Sequence, residues 1–119
     1  MLLVDTSVWV DHLRLGDEAL TGALGRNEVM IHPFVLGEIA LGNLVNRALV
    51  LASLADLPPA VVATDHEVMR FIDSVGLHGR GIGYVDAQLL ASARLTAGAR
   101  LWTRDRRLSE AAVALGLGA

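Results

Sequence analysis

MLLVDTSVWV, residues 1–10, decides how the rest of the chain is read. Leu2, Leu3 and Val4 form an apolar run without alternation, Asp5 is the first polar residue, and Thr6 and Ser7 lead into a helical pattern. A short strand with no wet face is one covered on both sides, as strands of parallel sheets are. Open parallel sheets bind their ligands outside the carboxyl ends of the strands. Asp5 is therefore expected at the edge where chemistry takes place, and any residue that acts with it must reach the same edge.

Outward from that strand, residues 7–14 read as a short helix, with Val8, Trp9 and Leu13 apolar and Asp11, His12 and Arg14 polar. Asp17 is placed to cap a second helix over residues 18–25. Val29, Met30 and Ile31 make a second strand, and Pro33 stands at the first turn of a long helical stretch that reaches Ala55. Glu38 and Arg47 are its only charges, and its apolar residues go all round the wheel. A core helix pair is predicted, with part of Leu41, Leu44, Val45, Leu49 and Leu51 facing another chain.

Leu57-Pro58-Pro59 ends this stretch, and residues 60–63 are expected to form a third strand. Thr64 and Glu67 have capping-box spacing for a helix over 65–75, which gives Asp65, Glu67 and Asp73 local roles. Glycines 76, 79, 81 and 83 then surround Arg80 in a flexible loop that lacks any nucleotide-binding pattern. Residues 84–96 form a helix carrying Asp86, residues 100–103 a fourth strand, and Asp105 precedes a last helix near residues 108–115. Short apolar strands alternating with helices specify an α/β fold: one domain over residues 1–119, with a short, mainly parallel central sheet flanked by helices on both faces.

Composition sets further bounds. The 53% hydrophobic content is high for 119 residues, because small domains have proportionally more surface to cover, and the surplus is expected to meet a partner. With no cysteine, disulfides, thiolate catalysis and cysteine zinc sites are excluded, and a reducing cytoplasm suits the chain. Met1 runs directly into the strand with no basic leader, and the longest apolar run, Ala48–Ala55, falls far short of the roughly 20 residues that cross a bilayer. A soluble protein with no membrane partner is expected. The net charge of −3 argues against binding nucleic acid by overall attraction, yet all ten basic residues are arginine, and four of them fall at 100, 104, 106 and 107.

Four carboxylates carry the chemical case. Asp5 and Asp105 each follow a strand, which puts both at one edge of the sheet, although either alone is read by default as a cap for the next helix. The helical neighbours of Glu38 are Phe34, Val35, Leu41 and Gly42, and those of Asp86 are Ile82, Gly83, Leu89 and Leu90, so both acids are expected on apolar faces. A carboxylate there costs several kcal/mol unless it is paired or coordinated. A structural ion pair with an arginine, or for Asp86 an N-cap role, stays open for each singly. Carboxylates about 4 Å apart repel by roughly 4 kcal/mol per pair at an effective dielectric of 20, a penalty that a divalent cation removes. All-oxygen ligands favour Mg²⁺ or Mn²⁺ over zinc, and such an ion suits hydrolysis of a phosphodiester.

These residues bring the chain close to a known family. VDTSVW around Asp5, GEIALG around Glu38, GIGYVDAQLLASA around Asp86 and LWTRDRRL around Asp105 together resemble the PIN-domain ribonucleases, in particular the VapC-type toxins of toxin–antitoxin pairs. The resemblance covers the whole length. It implies a Mg²⁺- or Mn²⁺-dependent endoribonuclease in which Asp5 and Asp86 hold the metal most directly, Glu38 and Asp105 complete the acidic pocket, and Thr6 and Thr103 support it. It further implies an RNA substrate, a homodimer, and a cognate antitoxin that wraps the hydrophobic helices and blocks the pocket.

Other residues offer less. His12, His32, His66 and His78 lack metal-ligand spacing and are expected at the surface or in loops. Arg80, Arg104, Arg106 and Arg107 flank the acidic edge and are candidates for phosphate contacts, although a solvated face is the default for each singly. Trp9 and Trp102 are of a type that stacks on bases, with Trp102 expected in the core instead. A phosphoacceptor receiver would need a lysine, and a haloacid-dehalogenase-type phosphatase an aspartate where Ser7 stands. The rival readings are a PIN-like dimerisation and partner-binding module with little catalysis, and a DNA nuclease of related fold.

Overall fold

The computed structural model describes all residues, Met1–Ala119. In chain order the elements are β1 (Leu2–Val4), α1 (Thr6–Leu15), α2 (Glu18–Gly25), β2 (Val29–Met30), α3 (Pro33–Ala40), α4 (Arg47–Ala55), α5 (Asp65–Val75), α6 (Tyr84–Leu95), β3 (Arg100–Trp102) and α7 (Arg106–Ala114). The three strands form a parallel sheet in the order β2-β1-β3. Leu3 faces Met30 on one side and Leu101 on the other, and Val4 faces Trp102. Successive strand side chains point to opposite faces, and Leu3 and Val4 are both fully buried, so the sheet is covered on both faces as the opening residues predict. A cluster of 27 buried residues surrounds it.

Two expected elements differ. Residues 60–63 are not a strand, and only a bridge between Ile31 and Pro59 continues the sheet there. Pro58 and Pro59 have no N–H to give to a ladder, so only this bridge survives, in which Ile31 N–H donates to Pro58 O and Ala60 N–H donates to Ile31 O, each at 2.9 Å. The long apolar helix is two short ones. The chain leaves the helix after Ala40, with Leu41 as its C-cap, and re-enters it after Asn46, whose φ of 54° is left-handed. The Arg47 guanidinium turns back to donate to Ala40 O at 2.9 and 3.3 Å, satisfying a carbonyl at the end of α3.

The remaining local expectations are realised with small shifts of boundary. Asp17 caps α2 through Leu20 N–H, and Thr64 and Glu67 form a reciprocal capping box on α5. No helix is long and apolar enough to cross a membrane. His32 departs from the surface position expected of the histidines, because it is fully buried. Its Nδ1 accepts from Phe34 N–H as the N-cap of α3, and its Nε2 lies 3.0 Å from Ser92 Oγ. Since Nδ1 accepts, Nε2 carries the proton and donates, and the chain of hydrogen bonds runs on through Ser92 Oγ to Gln88 Oε1 and from Gln88 Nε2 to Ala63 O. Burial holds the imidazole below its ordinary pKa, with the nearby Gln88 side chain opposing.

Candidate active site

Parallel pairing of β1 with β3 brings the carboxyl ends of both strands together, and with them Asp5 and Asp105. Asp5 N–H donates to Trp102 O at 2.8 Å, locking the two ends in register. Asp5 occupies the N-cap position of α1, yet its carboxylate takes no helix N–H. Its Oδ2 accepts instead from Thr103 Oγ1 at 2.7 Å and Ser7 Oγ at 2.8 Å, and Oδ1 has no protein partner. Asp5 is buried at 7% exposure, so an acid that would otherwise be costly is held in place by hydroxyls with one oxygen to spare. Asp105 does cap its helix, its Oδ1 accepting from Leu108 N–H at 2.9 Å. Its backbone N–H donates to Thr103 Oγ1, so Thr103 joins the two acids.

Asp86 lies in the first turn of α6, where its Oδ2 accepts from Gly83 N–H at 3.2 Å, again with one oxygen left over. Its carboxyl pKa is raised, first by burial and then by the negative charges of Asp5, Asp105 and Glu38, with the Gly83 bond opposing. The three other acids thus lie near enough to act on Asp86 through space. Glu38 corrects part of that pattern. It is exposed, because α3 ends at Ala40 and the face shared with Phe34 and Leu41 looks outward; Val35 and Ile39 supply the buried face. What fixes Glu38 is Thr6 Oγ1, which donates to its Oε1 at 2.7 Å.

No group of three His, Asp or Glu side chains closes tightly enough to hold an ion among them. The donor set nonetheless fits a hard, largely hydrated cation: all donors are carboxylate oxygens, and Asp5 and Asp86 each keep one oxygen free. Mg²⁺ typically retains several waters beside one or two protein carboxylates.

A family model described as PIN domain matches residues 2–114. The chain belongs to the PIN-domain family. Two curated relatives, both named Ribonuclease VapC32 and from two strains of Mycobacterium tuberculosis, are each 50% identical to it over 117 residues, spanning 98% of this chain and 94% of their own length.

Within this PIN domain the arginines at the acidic edge separate by what they touch. Arg104 is not available for a phosphate: its guanidinium binds Asp11 of α1 and Asp17 at the start of α2, and its backbone N–H donates to Ser7 Oγ. These two carboxylates hold the Arg104 pKa up, and Asp17 is lowered by Leu20 N–H and then by Arg104. Arg106 pairs with Glu110 one turn on, whereas Arg80 and Arg107 have no ion pair. Trp9 is buried at 1% exposure, which removes it as a stacking platform, and Trp102 is only partly buried, short of the core position expected.

Ser7 is the residue that sequence reasoning missed. It donates to Asp5, lies 3.3 Å from Thr103 Oγ1 and accepts from Arg104 N–H. The signal was its position two residues after a strand-end aspartate, where a hydroxyl folds back onto the carboxylate.

Proposed function

We infer that this PIN domain is a divalent-metal-dependent endoribonuclease and the toxin of a toxin–antitoxin pair. The observation that carries the reading is the convergence of Asp5, Glu38 and Asp105 on Asp86, in a chain half identical to relatives named ribonucleases. Asp5 and Asp86 present their free oxygens to Mg²⁺ or Mn²⁺, while Glu38 and Asp105 complete the pocket. Thr6 orients Glu38, and Ser7 with Thr103 fixes Asp5, so the ligands are set before substrate arrives. A bound ion supplies polarisation of the scissile phosphate and acidification of a water.

The exposed apolar residues Leu41, Val45 and Leu49 support the partner half of the reading: a cognate antitoxin covers this surface, and the chain forms a homodimer in the cytoplasm. The test offers the purified, partner-free chain single-stranded RNA and DNA with Mg²⁺. RNA is cut, EDTA stops cleavage, and Asp86→Asn lowers it at least about 100-fold with the far-UV circular dichroism spectrum unchanged. Full RNA cleavage by Asp86→Asn refutes the role assignment, and cleavage of DNA alone refutes the substrate.

A further inference from the structure

Beside the acidic pocket, Gly81, Asp105, Arg106, Arg107 and Glu110 line an open cleft of about 490 Å³ with no apolar residue in its wall. Arg107 is the cation in this wall without a partner. It makes no ion pair or hydrogen bond within the chain, whereas Arg106 is held by Glu110. Its side chain lies against Gly81: a Cβ built there would stand 2.5 Å from Arg107 Nη1, 2.8 Å from Cδ and 3.0 Å from Cζ. Real Cβ atoms do not approach that closely, so the absence of a side chain at 81 is what lets the arginine lie down on the loop. Gly81 also has φ +76°, which alone favours glycine.

We propose that Arg107 is the phosphate contact of the candidate active site, seated on Gly81 so that its guanidinium receives the RNA backbone next to Asp105; this rests on the ribonuclease reading. An RNA strand entering a pocket with four carboxylates meets repulsion that a nearby cation must offset. Arg104 is committed to two carboxylates of the chain itself, and Arg106 turns to Glu110 in an exposed pair. Arg107 keeps its whole fork of donors for a phosphodiester, which a guanidinium binds in bidentate fashion, and its contact with Gly81 reduces the freedom that binding would remove. Arg80 is also unpaired, but it stands in the glycine loop between Gly79 and Gly81, which supply no side chain to hold it.

The test measures affinity for a mixed-sequence single-stranded RNA oligonucleotide against NaCl concentration, in the Asp86→Asn background with Mg²⁺ present. Arg107→Ala weakens binding about tenfold and reduces the slope of log affinity against log salt by about 0.7, the loss of one phosphate contact; Arg107→Lys keeps the slope but restores only part of the affinity. Gly81→Ala reproduces much of the Arg107→Ala loss and adds nothing to it in the double variant. An unchanged slope and affinity in Arg107→Ala overturns the phosphate contact. A Gly81→Ala loss that persists undiminished in the Arg107→Ala chain overturns the seating role, and if Gly81→Ala does not fold, the two Arg107 variants decide the contact. A parent chain that neither cuts nor binds RNA defeats the ribonuclease reading itself, whereas one that cuts RNA with the Arg107→Ala slope intact defeats only this proposal.

Discussion

Asp5 and Asp86 show how an acidic site is kept usable inside a small fold. Two hydroxyls converge on one oxygen of Asp5, so Thr103→Val leaves a mostly buried carboxylate with one donor fewer and loses a link to Asp105. The expected cost is about 1–2 kcal/mol in urea unfolding and a 10–100-fold drop in metal affinity, read by Mn²⁺ titration. Asp86 carries the opposite signature. Its folded-state pKa lies above the unfolded one, so in the window between them the folded chain binds the extra proton, and the metal-free protein loses stability as pH rises through that window. Asp86→Asn removes the repelled charge and keeps an acceptor for Gly83 N–H. At pH 7 in EDTA it should therefore raise the thermal midpoint by about 2–4 °C, while in Mg²⁺ the same substitution lowers cleavage at least about 100-fold. At this scale the sequence singled out four acids as candidates but not the company they keep. Ser7 and Thr103 meet only because β1 and β3 are neighbours, a pairing 96 residues apart in the chain.

The short helix α3 hangs on His32, whose ring both caps it and begins the buried run through Ser92 and Gln88 to Ala63. Protonation would put a donor at Nδ1, where Phe34 N–H already points. With the folded-state pKa below the ordinary 6.5, the unfolded chain alone carries the proton between the two values, so stability falls as pH drops below about 6.5. Urea midpoints at pH 7.5, 6.5 and 5.5 should show this fall, with a slope of at most about 1.4 kcal/mol per pH unit, and His32→Ala should flatten it. On α5, Thr64→Ala breaks the capping box and should cost about 1 kcal/mol. Capping of α2 and α5 was legible because caps are contacts between near neighbours in sequence. The division of α3 from α4 was not, since the apolar pattern continues through residues 41–45 while the backbone has left the helix after Ala40. Glu38 is exposed because α3 turns the face of Val35 and Ile39 to the core instead.

Across the whole molecule, one cluster of buried residues fills both sides of a three-stranded sheet, yet Leu41, Val45 and Leu49 remain 91%, 85% and 68% exposed. Glutamates at all three positions should leave the thermal midpoint nearly unchanged, because little apolar area is buried there in the isolated chain, while co-purification with the proposed antitoxin falls at least about tenfold. The α/β class, the opening strand and the capped starts of α2 and α5 were determined by the sequence itself, because periodicity, turn residues and local caps act over a few positions. Which hydroxyl grips which acid, which arginine is already neutralised and which is free, and which histidine is buried were decided only by the tertiary structure. Each depends on elements far apart in the chain, brought side by side when the parallel strands closed on a common core.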